Sequence, residues 1–112
     1  MTLSEKQIRF TQLIGELIRY ATSMGYGLTF AEAYRSPETA AIYAKQGKGI
    51  KNSLHTKRLA VDFNLFKDGK YLTDSKDYVL LGAYWESLDP LCRWGGRFND
   101  GNHFSMEHEG VK

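Results

Sequence analysis

The chain has 112 residues, of which 42% are hydrophobic and 13% aromatic, and this is enough for one domain with a buried core. With 15 Lys and Arg residues against 13 Asp and Glu residues, the net charge of +2 is too balanced for a typical nucleic-acid-binding protein. A single cysteine, Cys92, excludes an internal disulfide framework, and no apolar run approaches membrane-spanning length. The sequence therefore predicts one domain over residues 1–112, with no nucleic-acid partner and no stable membrane insertion.

The first half of the sequence predicts a helix, a strand and a second helix. Ser4 and Gln7 have the spacing of a capping box, which would begin the first helix. A strand is predicted over 28–34, and the Ser36-Pro37 pair is typical of a helix start. Apolar residues recur at helical spacing on one face of the first helix: Ile8, Leu13, Ile14, Leu17, Ile18 and Ala21.

The second half mixes strands with one more helix. An apolar, β-prone run at 59–66 predicts a core strand, and the Asp-Gly pair at 68–69 predicts a hairpin turn after it. A helix is predicted over 75–88, and segments 94–97 and 103–106 predict a last pair of short strands. Four apolar residues in the third helix have helical spacing: Val79, Leu80, Ala83 and Tyr84. Helices and antiparallel strands without a βαβ rhythm predict an α+β fold.

Two of the three histidines occur in contexts that suit a metal. His55 precedes the predicted core strand and Asp62 lies within it, where a carboxylate is costly unless it is paired or metal-bound. His103 lies in another predicted strand. Two imidazoles and one carboxylate leave a fourth position open for water, as in catalytic zinc sites. A structural role stays open for each residue taken alone, since Asp62 could pair with backbone or arginine and His103 could be a core histidine.

Four further residues are candidates for chemistry. Asp100 lies on a predicted turn three residues before the second histidine, where it could act as a general base or be an ordinary turn residue. Arg35 follows a predicted strand, where it could bind a carboxylate or an oxyanion, or form a surface salt bridge. Ser53 could contact substrate or cap a turn, and Trp94 could form a substrate wall or belong to the core.

In their order and spacing these motifs resemble the M15 zinc peptidases. The family includes D-alanyl-D-alanine carboxypeptidases and dipeptidases, and the pattern is most similar to that of the phage-type L-alanyl-D-glutamate endopeptidases, which act as endolysins. The resemblance spans about residues 31–106. The segments that carry it are Tyr34-Arg35-Ser36-Pro37-Glu38, Ser53-x-His55-x6-Asp62, Trp94-Gly95-Gly96 and Asp100-x-x-His103-Phe104.

The resemblance implies a fold and a set of roles. The fold would be the small antiparallel sheet flanked by helices that the family shares with the Hedgehog signalling domain. Asp100 would be the catalytic acid and base, Arg35 would stabilise substrate or transition state, and Ser53 would contact substrate. One zinc ion per chain would be held by His55, Asp62 and His103.

The resemblance also implies a partner and a place of action. The partner would be the stem peptide of bacterial peptidoglycan. A monomer is the default expectation, because the sequence itself leaves the oligomeric state open. Met1 to Lys6 are not followed by the apolar stretch of a signal peptide. A phage or prophage product of this kind would be made in the host cytoplasm and act on the wall in the periplasm after release. Two positions depart from the pattern, since many members have Gly at the position of Arg58 and Glu at that of Ser105.

Three alternatives compete with the endopeptidase interpretation. A D-alanyl-D-alanine carboxypeptidase would use the same metal chemistry on a different bond. A catalytically silent wall-binding domain would keep the fold without turnover, although the candidate ligands and acid/base argue against it. A non-haem iron oxygenase also uses two histidines and a carboxylate, but the six residues between His55 and Asp62 do not fit its tight His-x-Asp spacing.

Overall fold

A computed structural model describes residues 1–112 and shows three α-helices around one five-stranded antiparallel sheet. The predicted α+β fold is therefore confirmed. The helices are α1 (Leu3–Ser23), α2 (Pro37–Lys45) and α3 (Val79–Leu88). The strands are β1 (Tyr26–Phe30), β2 (Ala60–Lys67), β3 (Lys70–Leu72), β4 (Cys92–Trp94) and β5 (His103–Met106). Short 3-10 helices span Leu54–Lys57, Ser75–Tyr78 and Gly95–Phe98.

Strand β2 is the centre of the sheet and carries one of the candidate ligands. The strand order is β1-β2-β5-β4, with β3 also paired to β2. Because β3 pairs with the end of β2 and β5 with its beginning, both lie on the side of β2 opposite β1. In the β2–β5 pairing Asp62 lies directly opposite His103. The sheet alone thus brings together two residues that are 41 positions apart in the chain.

Helix α1 begins two residues earlier than the sequence pattern predicts. Thr2 caps the helix by accepting a hydrogen bond from the Glu5 amide, and the Glu5 side chain accepts one from the Thr2 amide. The predicted box of Ser4 and Gln7 is therefore wrong, and Gln7 instead donates to the Lys57 carbonyl. The local sequence pattern fits a capping box at Thr2 and Glu5 as well as one at Ser4 and Gln7. The structure has the first, in which the Thr2 and Glu5 side chains accept hydrogen bonds from free amides at the helix start. The buried face is Phe10, Leu13, Ile14, Leu17 and Ala21.

The core lies between α1, α3 and one face of the sheet, and Trp85 is its largest fully buried side chain. The Trp85 indole donates to the carbonyls of Arg93 and Ser105, so α3 is anchored to β4 and β5. This orientation turns Val79 and Leu80 outward, each 49% exposed, and corrects the face predicted for this helix. A buried indole N–H needs an acceptor, and spacing within the helix does not reveal where that acceptor lies.

Other predicted boundaries shift at the ends of strands. The strand predicted over 28–34 ends at Phe30, and residues 95–97 form a 3-10 helix rather than a strand. The predicted core strand, the 68–69 turn and the Ser36-Pro37 helix start are confirmed. Arg58 has a left-handed backbone with φ of 55°, which is the conformation glycine adopts most easily. This conformation fits the glycine that the resemblance implies at this position.

The Ser105 hydroxyl is a weak point of the core. The residue is 0% exposed, and its Oγ has no hydrogen-bond partner. Since a buried polar group without a partner is costly, we expect Ser105→Ala to raise the free energy of unfolding by about 1 kcal/mol. Urea denaturation measures this change. Ser87→Ala on exposed α3 surface is the control and should change stability by less than about 0.5 kcal/mol; a large destabilisation by Ser105→Ala would contradict the prediction.

Candidate metal and catalytic site

Three side chains converge at the point where β2 and β5 meet the 3-10 helix Leu54–Lys57. One oxygen of Asp62, Oδ1, lies 3.0 Å from His103 Nδ1 and 3.3 Å from His55 Nε2. One ligand atom from each of the three residues lies within 4.8 Å of the others. Ligand atoms on a tetrahedral zinc ion are about 3.3 Å apart, because each bond is about 2.0–2.2 Å long. The donor set and its spacing therefore fit a zinc ion.

Backbone contacts orient the His55 ring toward this cluster. His55 Nδ1 lies 2.8 Å from the carbonyl oxygen of Ala33, which can only accept, so Nδ1 carries the proton. The other nitrogen, Nε2, faces Asp62 and is the atom that would bind a metal once it gives up its proton. The Arg35 amide donates to the His55 carbonyl at 3.1 Å, and the His55 amide donates to Ser53 Oγ at 3.2 Å. The ring is 3% exposed and held from both sides.

The electrostatics of the cluster favour the ligand form of Asp62. Burial alone would raise the pKa of Asp62, but hydrogen bonds from His103 and His55 outweigh it and lower that pKa to about 2. Burial opposes a charge on His55, yet the hydrogen bond to Asp62 raises the pKa of His55 above its usual value. Asp62 is thus a carboxylate at every physiological pH, ready to bind a cation.

The loop that carries Asp100 is held tightly beside the cluster. The Asp100 amide donates to the Gly95 carbonyl at 2.8 Å, and the His103 amide donates to the Asp100 carbonyl at 3.1 Å. One residue further on, the Gly101 amide donates to Ser75 Oγ at 2.9 Å. Desolvation in the cleft raises the pKa of the Asp100 carboxyl, and the charge of Asp62 adds to this effect. A carboxyl whose pKa moves toward neutrality is suited to transfer protons in both directions.

The cluster opens onto a cleft of about 300 Å³ that contains most of the predicted site. Arg35, Ser53 and Asp100 line it together with the three candidate ligands. Five further lining residues have side chains that sequence reasoning did not single out: Lys48, Ile50, Leu54, Phe98 and Lys112. Lys48 falls in the polar loop after α2, and nothing in its local sequence separates it from an ordinary surface lysine. The two lysines give the cleft a basic rim.

Arg35 does not stand alone in the cleft. Its Nε lies 3.1 and 3.2 Å from the two carboxylate oxygens of Glu32, and its Nη2 also donates to that carboxylate. The hydrogen bond to Glu32 raises the pKa of Arg35, and the ring of Tyr43 lies 5.0 Å from its Cζ. Glu32 Oε1 is in turn 3.9 Å from His55 Nε2. Sequence analysis missed Glu32, although an acidic residue three positions before a candidate arginine was visible.

Ser53 and Trp94 lie in different places relative to the cleft. Ser53 lines it, but its hydroxyl also caps the 3-10 helix that carries His55. Trp94 lies behind the Asp100 loop and donates from its indole to the Gly101 carbonyl at 2.7 Å. Its ring fills the space beside Gly82 and Gly96, where an added Cβ would be 2.1 Å from a ring atom. Substrate contact by either residue stays a prediction, while the observed contacts of Trp94 support the loop that carries Asp100.

Gly95 is the point where this loop tolerates no side chain. A Cβ there would lie 2.2 Å from the Asp100 carbonyl oxygen and 2.7 Å from His103 Cβ. We expect Gly95→Ala to lower the free energy of unfolding by about 1–3 kcal/mol, because the backbone at Asp100 would have to move. Zinc binding should weaken as well, because the added methyl group would also displace His103. Thermal unfolding and zinc titration measure both effects. Gly15→Ala, at an open position of α1, should instead stabilise by about 1 kcal/mol; equal behaviour of the two variants would contradict the expectation.

A family comparison connects this geometry to a known class of enzyme. A model of the M15 peptidases described as D-alanyl-D-alanine carboxypeptidase matches residues 46–106, just over half of the chain. The chain belongs to the M15 family of zinc peptidases. It is a metallopeptidase whose His-Asp-His group could hold the metal. No curated protein sequence matches the chain.

Two crystal structures share the fold of this M15 peptidase. The Serratia marcescens L-Ala D-Glu endopeptidase ChiX has a TM-score of 0.74 and 20% identity, covering 88% of this chain and 78% of its own. The vancomycin resistance D,D-pentapeptidase VanY, an E175A mutant from a VanB-type cassette in complex with Zn(II), has a TM-score of 0.58 and 20% identity, covering 88% and 71%. No helix of the chain has the length and apolar character needed to cross a membrane.

Proposed function

We propose that this M15 peptidase is a zinc-dependent peptidoglycan hydrolase that cleaves the stem peptide at the L-alanyl-D-glutamate bond. The observation that carries the proposal is the buried cluster of His55, Asp62 and His103 with Asp100 in the same cleft. The three ligands would hold one zinc ion per chain. When bound, zinc supplies Lewis-acid polarisation of the peptide carbonyl and acidifies the attacking water.

The residues of the chain divide the remaining work. The Asp100 carboxylate accepts a proton from the water while the water oxygen attacks the peptide carbonyl carbon. The carboxyl group then gives this proton to the nitrogen of the leaving amine as the peptide C–N bond breaks. The guanidinium of Arg35 donates hydrogen bonds to the carbonyl oxygen as negative charge develops there. Ser53, on the cleft wall, would contact the substrate backbone. The raised pKa of Asp100 supports its part in both proton transfers.

The shape of the cleft favours an endopeptidase. The cleft shares the lining residues Phe98 and Lys112 with a neighbouring hollow of about 440 Å³, so the two hollows lie side by side. An endopeptidase needs room for the chain on both sides of the bond that is cut, and a basic rim suits the free carboxylates of a stem peptide. The similarity of the motifs to the phage-type branch supports the same bond.

A D-alanyl-D-alanine carboxypeptidase is the second candidate, because that is the description of the family model that matches. Synthetic stem pentapeptides separate the two by product mass. The endopeptidase releases the fragment that begins at D-glutamate, whereas a carboxypeptidase releases only the terminal D-alanine. Release of D-alanine alone would overturn the choice of bond while keeping the metallopeptidase chemistry.

The biological setting is part of the same proposal. We propose a phage or prophage endolysin that is made in the host cytoplasm and reaches the wall in the periplasm after release. It would act as a monomer, since one chain contains every residue assigned to the site. Lysis of cells that express the protein only when a membrane-permeabilising agent is added would support this setting, and lysis without the agent would contradict it.

A further inference from the structure

We infer that Glu32 is a positioning residue that fixes the Arg35 guanidinium for its part in the reaction. The inference rests on the proposed function and adds a residue to which the family motifs assign no role. Glu32 and Arg35 lie on the segment that follows β1. This segment is hydrogen-bonded to the backbone of two candidate ligands, Asp62 and His55. The Asp62 amide donates to the Glu32 carbonyl at 2.7 Å, and the Arg35 amide donates to the His55 carbonyl at 3.1 Å. A displacement of this segment would therefore also displace the candidate metal ligands Asp62 and His55.

The contacts of the guanidinium show how Glu32 sets its orientation. The hydrogen bonds of this group within the protein all go to the Glu32 carboxylate, through Nε and Nη2. The third nitrogen, Nη1, lies next to Gly49, where an added Cβ would be 3.5 Å away. Both Gly49 and Arg35 line the cleft. The pairing thus holds one edge of the guanidinium and leaves Nη1 for a substrate oxygen.

Charge gives a second reason for the pair. An arginine near a bound dication would be repelled, and a free side chain of that length has many rotamers to lose. The Arg35 side chain is only 12% exposed, and the carboxylate of Glu32 neutralises its charge. Both carboxylate oxygens accept hydrogen bonds from the guanidinium, so they also fix its orientation. The energetic benefit is preorganisation, because the guanidinium needs no rearrangement when charge develops on the substrate.

The test compares Glu32→Gln with the exposed control Glu38→Gln in stem-peptide hydrolysis. Glutamine keeps the shape but loses the charge, so we expect kcat to fall about tenfold to a hundredfold, with KM changed less than about threefold and zinc content unchanged. Glu32→Asp restores the charge and should recover part of kcat. Glu38→Gln should match the unsubstituted protein. Full kcat in Glu32→Gln would overturn the inference, and so would loss of zinc, which would place Glu32 in the metal scaffold.

A double-mutant cycle separates positioning from direct action. If Glu32 acts through Arg35, adding Glu32→Gln to Arg35→Ala should change the residual kcat by less than about twofold. An undiminished loss in the Arg35→Ala background would show that Glu32 acts directly and would overturn the inference.

A readout independent of activity is the Arg35 Nε–H resonance in ¹⁵N NMR, assigned by its absence in Arg35→Lys. It should exchange slowly with solvent in the unsubstituted protein and rapidly in Glu32→Gln. Equal exchange in both would overturn the inference. If the unsubstituted protein cleaves no stem peptide, the proposed function fails, and the exchange result still decides whether Glu32 fixes Arg35.

Discussion

Replacing Asp100 with asparagine should leave the zinc site intact and abolish most turnover. The amide side chain of Asp100→Asn would keep the size of the carboxyl group and the backbone bonds of the loop, but it can neither accept nor deliver the proton in the proposed reaction. General acid–base catalysis contributes about 10²–10⁴ in rate, so we expect kcat to fall by at least about a hundredfold. Steady-state hydrolysis of a synthetic stem peptide, with zinc measured by atomic absorption, checks both statements.

The matched control for this variant is Asp68→Asn. Asp68 is an exposed residue of the β2–β3 turn with φ of 53°, a conformation that asparagine tolerates as well as aspartate. Its kcat should equal that of the unsubstituted protein. Near-full activity in Asp100→Asn would remove this residue from the mechanism. Loss of zinc together with activity would show that it serves the metal site instead.

Substitution of either histidine of the cluster should remove the metal itself. In His55→Ala or His103→Ala only two ligands remain, and the Asp62 carboxylate is left with one imidazole partner. Loss of a partner that merely orients a ligand costs about 10–100-fold in metal affinity, so loss of a ligand should weaken zinc binding by more than about a hundredfold. Titration with a chromophoric chelator measures the affinity, and hydrolysis should fall in parallel.

The third histidine provides the internal control. His108 lies away from the cluster, where it contacts Lys6 and pairs with Val111 near the C-terminal end. His108→Ala should bind zinc with unchanged affinity. Unchanged metal content in His55→Ala or His103→Ala, or equal loss in all three variants, would contradict the assignment of ligands.

Some of this architecture could be predicted because the signals are local. The Ser36-Pro37 helix start, the Asp-Gly turn at 68–69 and the apolar strand around Asp62 each depend on neighbouring residues, and the structure has all three. The candidate ligands and Asp100 also carried recognisable spacing. The structure brings them into one cleft because β2 and β5 pair in a register that places Asp62 opposite His103.

The features that sequence reasoning missed depend on tertiary contacts. The buried face of α3 follows from Trp85, whose indole needs carbonyls on β4 and β5 that are distant in the sequence. The contacts of Glu32 with Arg35 and Asp62 form only when the segment after β1 folds against β2. The support that Trp94 gives to the Asp100 loop depends on Gly82 leaving room for its ring. Such contacts are invisible to periodicity and local motifs.

Mass spectrometry of the soluble fragments from purified Gram-negative peptidoglycan tests the central claim most directly. The digestion is run with the zinc-loaded protein, with the protein after chelation, and after zinc is restored. We predict stem-peptide fragments that begin at D-glutamate in the first and third samples and none in the second. No release by a folded, zinc-loaded protein, or equal release after chelation, would contradict a zinc-dependent L-alanyl-D-glutamate endopeptidase.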